Sequence, residues 1–139
     1  MSVIANHLLS LLEAGEPVVV LGDFNAFPFS DGYVDVVGTI RGVSAGPDQV
    51  TLASPDLVEP DLFDAALTLP PQQRYSYVFQ GNAQQIDHIL VSSDLVTRLV
   101  GFAYARVNAD YPDSLRNDGA RPERVSDHDA PVAYFSVRP

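Results

Sequence analysis

Three short apolar runs, each with a cluster of polar residues at one end, constrain the fold of this chain more than any other feature. Each run has the length and composition of a β-strand. The runs and their clusters are PVVVL before GDFN at residues 17–25, ILV after IDH at residues 86–91, and APVAYF after SDHD at residues 126–135. We therefore predict a sheet that brings carboxylates, an amide and an imidazole to one edge.

The rest of the chain indicates α/β layers. Apolar residues at helical spacing predict a helix over residues 2–14, and Ser30 or Asp31 is predicted to cap a second helix that runs to about Ile40. The uniformly apolar residues 18–21 are typical of a strand that is covered on both faces. The other predicted elements are a loop at 42–60, a short helix at 61–67, a hairpin of 75–79 with 83–91, a strand at 99–108, a loop at 109–124 and a last strand at 132–137. This order predicts an α/β fold with a mixed β-sheet.

Composition excludes several classes of protein. The chain has 139 residues, enough for one domain or a piece of one, and 46% of them are hydrophobic, as in folded chains. It has no cysteine, so a disulfide framework and a thiolate metal site are excluded. No apolar run is long enough for a membrane span, and residues 1–12 lack the basic residues of a secretory signal. The net charge of −10 argues against binding nucleic acid by charge alone, but not against an enzyme that meets phosphate through a divalent cation.

The GDFN cluster supplies two complementary polar groups. Successive side chains of a strand alternate between its faces, so Asp23 and Asn25 are predicted to point into the same pocket. A carboxylate can take a proton from water, and an amide can donate to a phosphoryl oxygen. Hydrolysis of a phosphate ester needs both an oriented nucleophile and stabilisation of the charge that develops at phosphorus.

The other two clusters add carboxylates and imidazoles. Carboxylate oxygens such as those of Asp127 suit Mg²⁺, Mn²⁺ or Ca²⁺, and the His128 imidazole is the side-chain type best able to exchange protons near neutrality. In an alternating strand, Asp87 shares one face with Ile89, whereas His88 lies on the opposite face.

In this order, the three clusters resemble the endonuclease/exonuclease/phosphatase family, the relatives of pancreatic deoxyribonuclease. The resemblance implies metal-dependent hydrolysis of phosphodiesters. It makes Asp127 the ligand of a divalent cation, with Mg²⁺ favoured and Mn²⁺ or Ca²⁺ as alternatives, and it places His128 on the scissile phosphate. Asp87 would hydrogen-bond His128 and fix its tautomer, while His88 is interpreted as a packing or rim residue.

The resemblance covers only the C-terminal half of such a domain. It implies that residues 1–139 form the C-terminal half of a four-layer α/β sandwich, a mixed β-sheet with helices on one face. The family's first half, which supplies a glutamate for the cation, has no counterpart here. We therefore expect the isolated chain to be inactive and to self-associate as a homodimer through the uncovered sheet face.

The polar loop before Asp127 is similar to that of secreted bacterial nucleases of this superfamily, which implies an extracellular or periplasmic parent protein; this chain contains no targeting signal. Three hypotheses on function stay open. The substrate is DNA or RNA, or it is a phospholipid, sphingomyelin or inositol phosphate, or the chain is a non-catalytic binding scaffold. The presence of five polar residues at predicted strand ends favours an enzyme, because a scaffold does not need them.

Overall fold

The structure, a computed structural model, describes residues 2–137. Its helices are α1 (Ser2–Glu13), α2 (Val36–Arg41) and α3 (Ser93–Val96), and short 3₁₀ turns occupy Ala65–Thr68, Pro71–Gln73 and Asp113–Leu115. Its strands are β1 (Val19–Asp23), β2 (Phe63–Asp64), β3 (Tyr77–Phe79), β4 (Asn82–Gln84), β5 (Asp87–Val91), β6 (Leu99–Tyr104) and β7 (Pro131–Phe135). The α/β fold class is confirmed. The strand pairs in residues 2–137 are all antiparallel, whereas the sequence predicted a mixed sheet with both parallel and antiparallel strands.

Strand β5 lies at the centre of the fold. It pairs with β1 on one side and with β2 on the other, and each of its five residues is buried. Leu90 packs into a core cluster with helices α1 and α2, whereas Ile89 and Val91 pack into a second cluster with β6. The predicted alternation along this strand is therefore confirmed. The pairing with β1 places Gly22 opposite His88 and Asp23 opposite Asp87.

Strand β1 departs from the prediction that both its faces are covered. Val18 is buried and Val20 is partly buried on the side of the helices. On the opposite face, Val19 is 42% exposed and Leu21 is 66% exposed. The reason is that β1 is the edge strand of its sheet, and the β6 side of the core covers β5 without reaching this far. An apolar run thus forms a strand here with one covered face.

Two predicted helices were wrong in extent or type. Helix α2 begins at Val36, because the carboxylate of Asp35 accepts from Gly38 N at 2.8 Å and caps it. The carboxylate of Asp31 instead closes a tight turn by accepting from the amides of Tyr33 and Val34. Residues 61–67 contain β2 followed by a 3₁₀ turn, because the Phe63–Asp64 backbone pairs with β5 and leaves no room for a helix.

The strand-rich half contains one hairpin, β3–β4, and one antiparallel pair, β6 with β7, whose strands are joined by a long loop. Gln80 and Gly81 both adopt positive φ angles, 50° and 81°, at the tight turn between β3 and β4. The run 83–91, predicted as one strand, is divided into β4 and β5, and β6 ends at Tyr104 before residue 108. Strand β7 pairs with β6.

Within residues 2–137, no helix has the length and apolarity needed to cross a lipid bilayer.

Candidate functional site

The side chains of Asp87 and His128 make the closest polar contact at the end of β5. Asp87 is buried at the first position of the strand, and its Oδ2 lies 2.7 Å from Nδ1 of His128. A carboxylate can only accept, so the imidazole donates from Nδ1, and in the neutral ring Nε2 keeps its lone pair. This arrangement selects one tautomer and leaves Nε2 to act as a base or an acceptor.

Asp23 joins this pair through the strand register. Because Asp23 is the partner of Asp87 across β1 and β5, its carboxylate comes to the same place. One ligand atom from each of Asp23, Asp87 and His128 lies within 4.8 Å of the others, and Asp23 is exposed to solvent. Two carboxylates and an imidazole at this spacing fit a hard divalent cation. The preceding Gly22 has a φ of 146°, a conformation that favours glycine.

Asn25 lies beyond the end of β1, and this changes the geometry expected for it. Its φ of 47° is left-handed, and its amide N–H donates to Asp23 Oδ1 at 2.8 Å. The alternation of strand side chains, on which the shared direction of Asp23 and Asn25 was predicted, therefore stops at Asp23. The hydrogen bond from the Asn25 amide holds the Asp23 carboxylate in place.

Asp127 lies next to His128 in sequence but outside the group of three ligand residues. It is 40% exposed in its side chain, and its Oδ2 lies 3.4 Å from the Arg116 guanidinium. Arg116 also binds Asp113 at 2.8 Å. The hydrogen bond to Asp113, and after it the charges of Asp113 and Asp127, raises the pKa of Arg116. One oxygen of the carboxylate that the family resemblance assigned to a cation thus faces the arginine.

His88 is a packing residue, and the alternative of a rim position was wrong. Its ring is fully buried and meets Phe24 edge-on. The ring Nε2 lies 2.9 Å from the carbonyl oxygen of Ala26, and Nδ1 lies 3.3 Å from Asp64. His88 therefore ties the centre of the sheet to the loop that follows GDFN.

Ser76 links the segment that carries Asp87 to the segment that carries His128, and no sequence pattern indicated this role. Its Oγ accepts from Asp87 N at 3.1 Å, and its carbonyl accepts from Asp129 N at 2.7 Å. The neighbouring Tyr77 pairs with His128 through an isolated bridge, and the two rings lie 4.8 Å apart. A single buried serine thus keeps Asp87 and His128 in register.

One family of known proteins matches the chain. The model of the endonuclease/exonuclease/phosphatase family matches residues 2–128, which is most of the chain and includes GDFN, IDH and the first three residues of SDHD. No curated protein and no solved structure matches the chain. The chain therefore belongs to the endonuclease/exonuclease/phosphatase family, whose members hydrolyse phosphoesters and generally depend on a divalent metal.

Proposed function

We propose that this chain carries the catalytic residues of a divalent-metal-dependent phosphodiesterase that acts on nucleic acid. The observation that supports the proposal best is the 2.7 Å contact between Asp87 and His128, with Asp23 at the same strand end. A buried carboxylate that orients an imidazole beside a second, exposed carboxylate is an arrangement for moving protons at a reacting centre.

Each residue has a distinct role in this proposal. Asp87 holds the Nδ1–H of His128, and the protonated ring then donates from Nε2 to the phosphate to be cleaved. Asp23 accepts a proton from the attacking water. Asn25 donates a hydrogen bond to a phosphoryl oxygen. A water molecule is a weak nucleophile until a base takes its proton, so Asp23 contributes through its basicity and Asn25 through charge stabilisation.

The metal requirement follows from the charges. The chain is acidic, with a net charge of −10, and the two clustered carboxylates would repel a phosphodiester without a cation. The carboxylates of Asp23 and Asp87 lie close enough together to hold such an ion, and Asp127 is a further proposed ligand once it leaves Arg116. When bound, the ion neutralises phosphate charge. Oxygen ligands favour Mg²⁺, with Mn²⁺ or Ca²⁺ as alternatives.

The exposed face of β1 supports a further part of the proposal, that residues 1–139 act as the C-terminal half of a longer hydrolase domain. Val19 and Leu21 are apolar and uncovered next to Asp23. A partner layer over this face would bury them and close the site. We place the parent protein outside the cytoplasm, on the similarity of the loop before Asp127 to secreted bacterial nucleases.

An assay on the parent protein tests this function. Plasmid DNA, RNA and a phospholipid would each be incubated with the protein, with Mg²⁺ and with a chelator. We expect Mg²⁺-dependent cleavage of nucleic acid that His128→Ala abolishes. His7→Ala is the matched control, because His7 is exposed on α1 and away from the cluster.

Two other outcomes would replace the proposal. Cleavage of the phospholipid alone would assign a lipid phosphodiesterase instead of a nuclease. Binding of DNA that persists in His128→Ala, without cleavage of any substrate, would assign a binding scaffold. We expect the 139-residue chain by itself to cleave little, because a hard cation held by few carboxylates keeps most of its waters and binds weakly.

A further inference from the structure

Asp129, the residue after His128, is a fully buried carboxylate that has no role in the proposed chemistry. Its Oδ1 accepts from three consecutive backbone amides: Val107 N at 3.1 Å, Asn108 N at 2.8 Å and Ala109 N at 3.1 Å. Its Oδ2 accepts from the Arg106 guanidinium at 3.0 Å. A buried charge is tolerated only when it is paired and hydrogen-bonded. The carboxylate of Asp129 therefore fixes the backbone of residues 107–109 and the side chain of Arg106 around itself.

Asn108 makes the reverse contact. Its Nδ2 donates to the carbonyl oxygen of His128 at 2.8 Å, and its Oδ1 accepts from Ser126 N at 3.4 Å. These two backbone groups lie on either side of Asp127. Each segment thus supplies a side chain that satisfies the backbone of the other, and we call these contacts of Asn108 and Asp129 the reciprocal clamp.

The reciprocal clamp supplies backbone hydrogen bonds that a β-ladder would otherwise supply. Strand β7 begins only at Pro131, so residues 126–129 lie outside any named strand. Their other backbone contacts include the bridge of His128 with Tyr77 and the hydrogen bond from Asp129 N to Ser76. The His128 ring must nevertheless stay within 2.7 Å of Asp87. An irregular segment keeps one conformation only when side chains satisfy its polar backbone groups.

We infer that Asn108 and Asp129 are positioning residues: the reciprocal clamp holds the His128 ring against Asp87 and presents Asp127 beside it. The catalytic meaning of this inference rests on the proposed function, but the geometry itself does not depend on hydrolysis. Neither residue touches the group of Asp23, Asp87 and His128 through a ligand atom.

The ring nitrogens of His128 report directly on the clamp. In the folded protein at alkaline pH, ¹⁵N NMR is expected to show a single tautomer of His128 with the proton on Nδ1. In Asn108→Ala and in Asp129→Asn, the two ring signals are expected to move towards a mixture of tautomers. His88 is the internal reference, because its ring is buried against Ala26 and Asp64 and these hydrogen-bond partners do not belong to the clamp.

Asp35→Asn is the matched control. Asp35 is also a buried carboxylate that accepts from two backbone amides, those of Gly38 and Ala45, but it caps α2 instead of the segment at His128. We expect this variant to lose stability and to leave the His128 signals unchanged. If the parent protein cleaves a substrate, the two clamp variants are also expected to lower kcat by about 100-fold with little change in KM, as a displaced catalytic group does.

Several results would overturn the inference. Unchanged His128 signals in both clamp variants would show that the ring does not depend on the clamp, and a wild-type ring without an Nδ1 proton would remove its basis. Equal changes in Asp35→Asn, or loss of the His88 signals together with those of His128, would reduce the clamp to a general support of the fold. Failure to cleave any substrate would refute the proposed function alone, because the ring signals decide the clamp independently.

Discussion

At the scale of single residues, one hydrogen bond links a buried carboxylate to a half-buried imidazole. The Asp87 carboxylate is shielded from water, whereas the side chain of His128 is 25% exposed. The shielded partner can therefore orient the ring without competition from solvent, while Nε2 stays within reach of a substrate. Substitution of Asp87 and substitution of His128 are therefore expected to lower activity to different extents.

Asp87→Asn is expected to lower the activity of the parent protein by about 10- to 100-fold, the usual effect of changing the partner that orients a catalytic or metal-binding histidine. His128→Ala is expected to lower it by about 10²- to 10⁴-fold, because the group that donates to the phosphate and can pass its proton to the leaving oxygen is removed. Steady-state rates on nucleic acid check the order of the two. A larger loss in Asp87→Asn than in His128→Ala would contradict the assignment of Asp87 as the orienting group.

Tyr104 makes the free energy of unfolding depend on pH in the alkaline range. Its hydroxyl donates to the carbonyl oxygen of Asp87 at 3.0 Å, and burial raises its pKa, with the nearby charges of Asp64 and Asp87 acting in the same direction. The folded state thus keeps the proton where the unfolded state, with an ordinary pKa of about 10, has lost it. The contribution to stability is complete below pH 10 and is lost as the pH rises further.

We therefore expect the free energy of unfolding to fall above about pH 10 in the wild type. Tyr104→Phe is expected to lower stability at neutral pH by about 1 kcal/mol, through the lost hydrogen bond, and to show a shallower alkaline decline. Urea denaturation between neutral and alkaline pH measures both effects. Tyr134→Phe is the control, because Tyr134 is 58% exposed, and an equal change in its pH profile would refute the prediction.

Contacts between single side chains were the most predictable part of the site. The contact of Asp87 with His128 was expected from the family resemblance, and the strand register then explains why Asp23 joins them. Asn108 and Asp129 were not expected. Their partners are backbone groups distant in sequence, and a buried aspartate that binds amides has the same sequence appearance as a solvated one.

At the scale of elements, the polar loop before β7 places Arg116 against Asp127. Both side chains are substantially exposed, 46% for the arginine and 40% for the aspartate, so solvent weakens their attraction. A divalent cation at Asp127, as proposed, would compete with this arginine. The loop would therefore influence how readily Asp127 binds the ion.

Arg116→Gln is expected to strengthen the binding of Mn²⁺ by about two- to fivefold, which corresponds to the loss of one exposed ion pair. Titration of the chain followed by electron paramagnetic resonance of free Mn²⁺ measures the change. Arg121→Gln is the matched control, because Arg121 pairs with Glu123 and not with Asp127. Unchanged or weaker binding in Arg116→Gln would show that Asp127 takes no part in holding the ion.

Helices and strands were predicted well where the periodicity of apolar side chains determines them. They were predicted poorly where the choice of the capping residue determines their bounds. Helix α1, the alternation of β5 and the β3–β4 hairpin follow from apolar spacing and turn residues. The start of α2 was wrong because Asp31 and Asp35 are both acceptable caps. Long-range contact decides between them, since the Asp35 carboxylate also accepts from the Ala45 amide.

At the scale of the whole molecule, one face of β1 is apolar and exposed. Leu21 and Val19 lie uncovered on an edge strand, and Ile4 of α1 is 48% exposed nearby, lining a cavity of about 330 Å³ with Leu21. Contiguous apolar surface of this kind is a common site of interaction. We predict that the isolated chain forms a two-fold dimer through this face.

Leu21→Glu is expected to convert the dimer into a monomer. Light scattering at micromolar concentration should give twice the chain mass of 15.0 kDa for the wild type and the single mass for the variant. Val125→Glu is the control, because Val125 is 69% exposed but lies in the loop before His128. A monodisperse wild-type monomer would rule out the dimer.

The position of β5 between two core clusters has a consequence for the order in which the molecule opens. Amide hydrogens of a fully buried central strand exchange with solvent only through global unfolding, whereas those of loops exchange through small local openings. Asp87 belongs to the first kind of segment and His128 to the second. On mild warming, the imidazole should therefore leave its carboxylate while the rest of the chain is still folded, so that an activity that depends on this contact would be lost at a lower temperature than the fold.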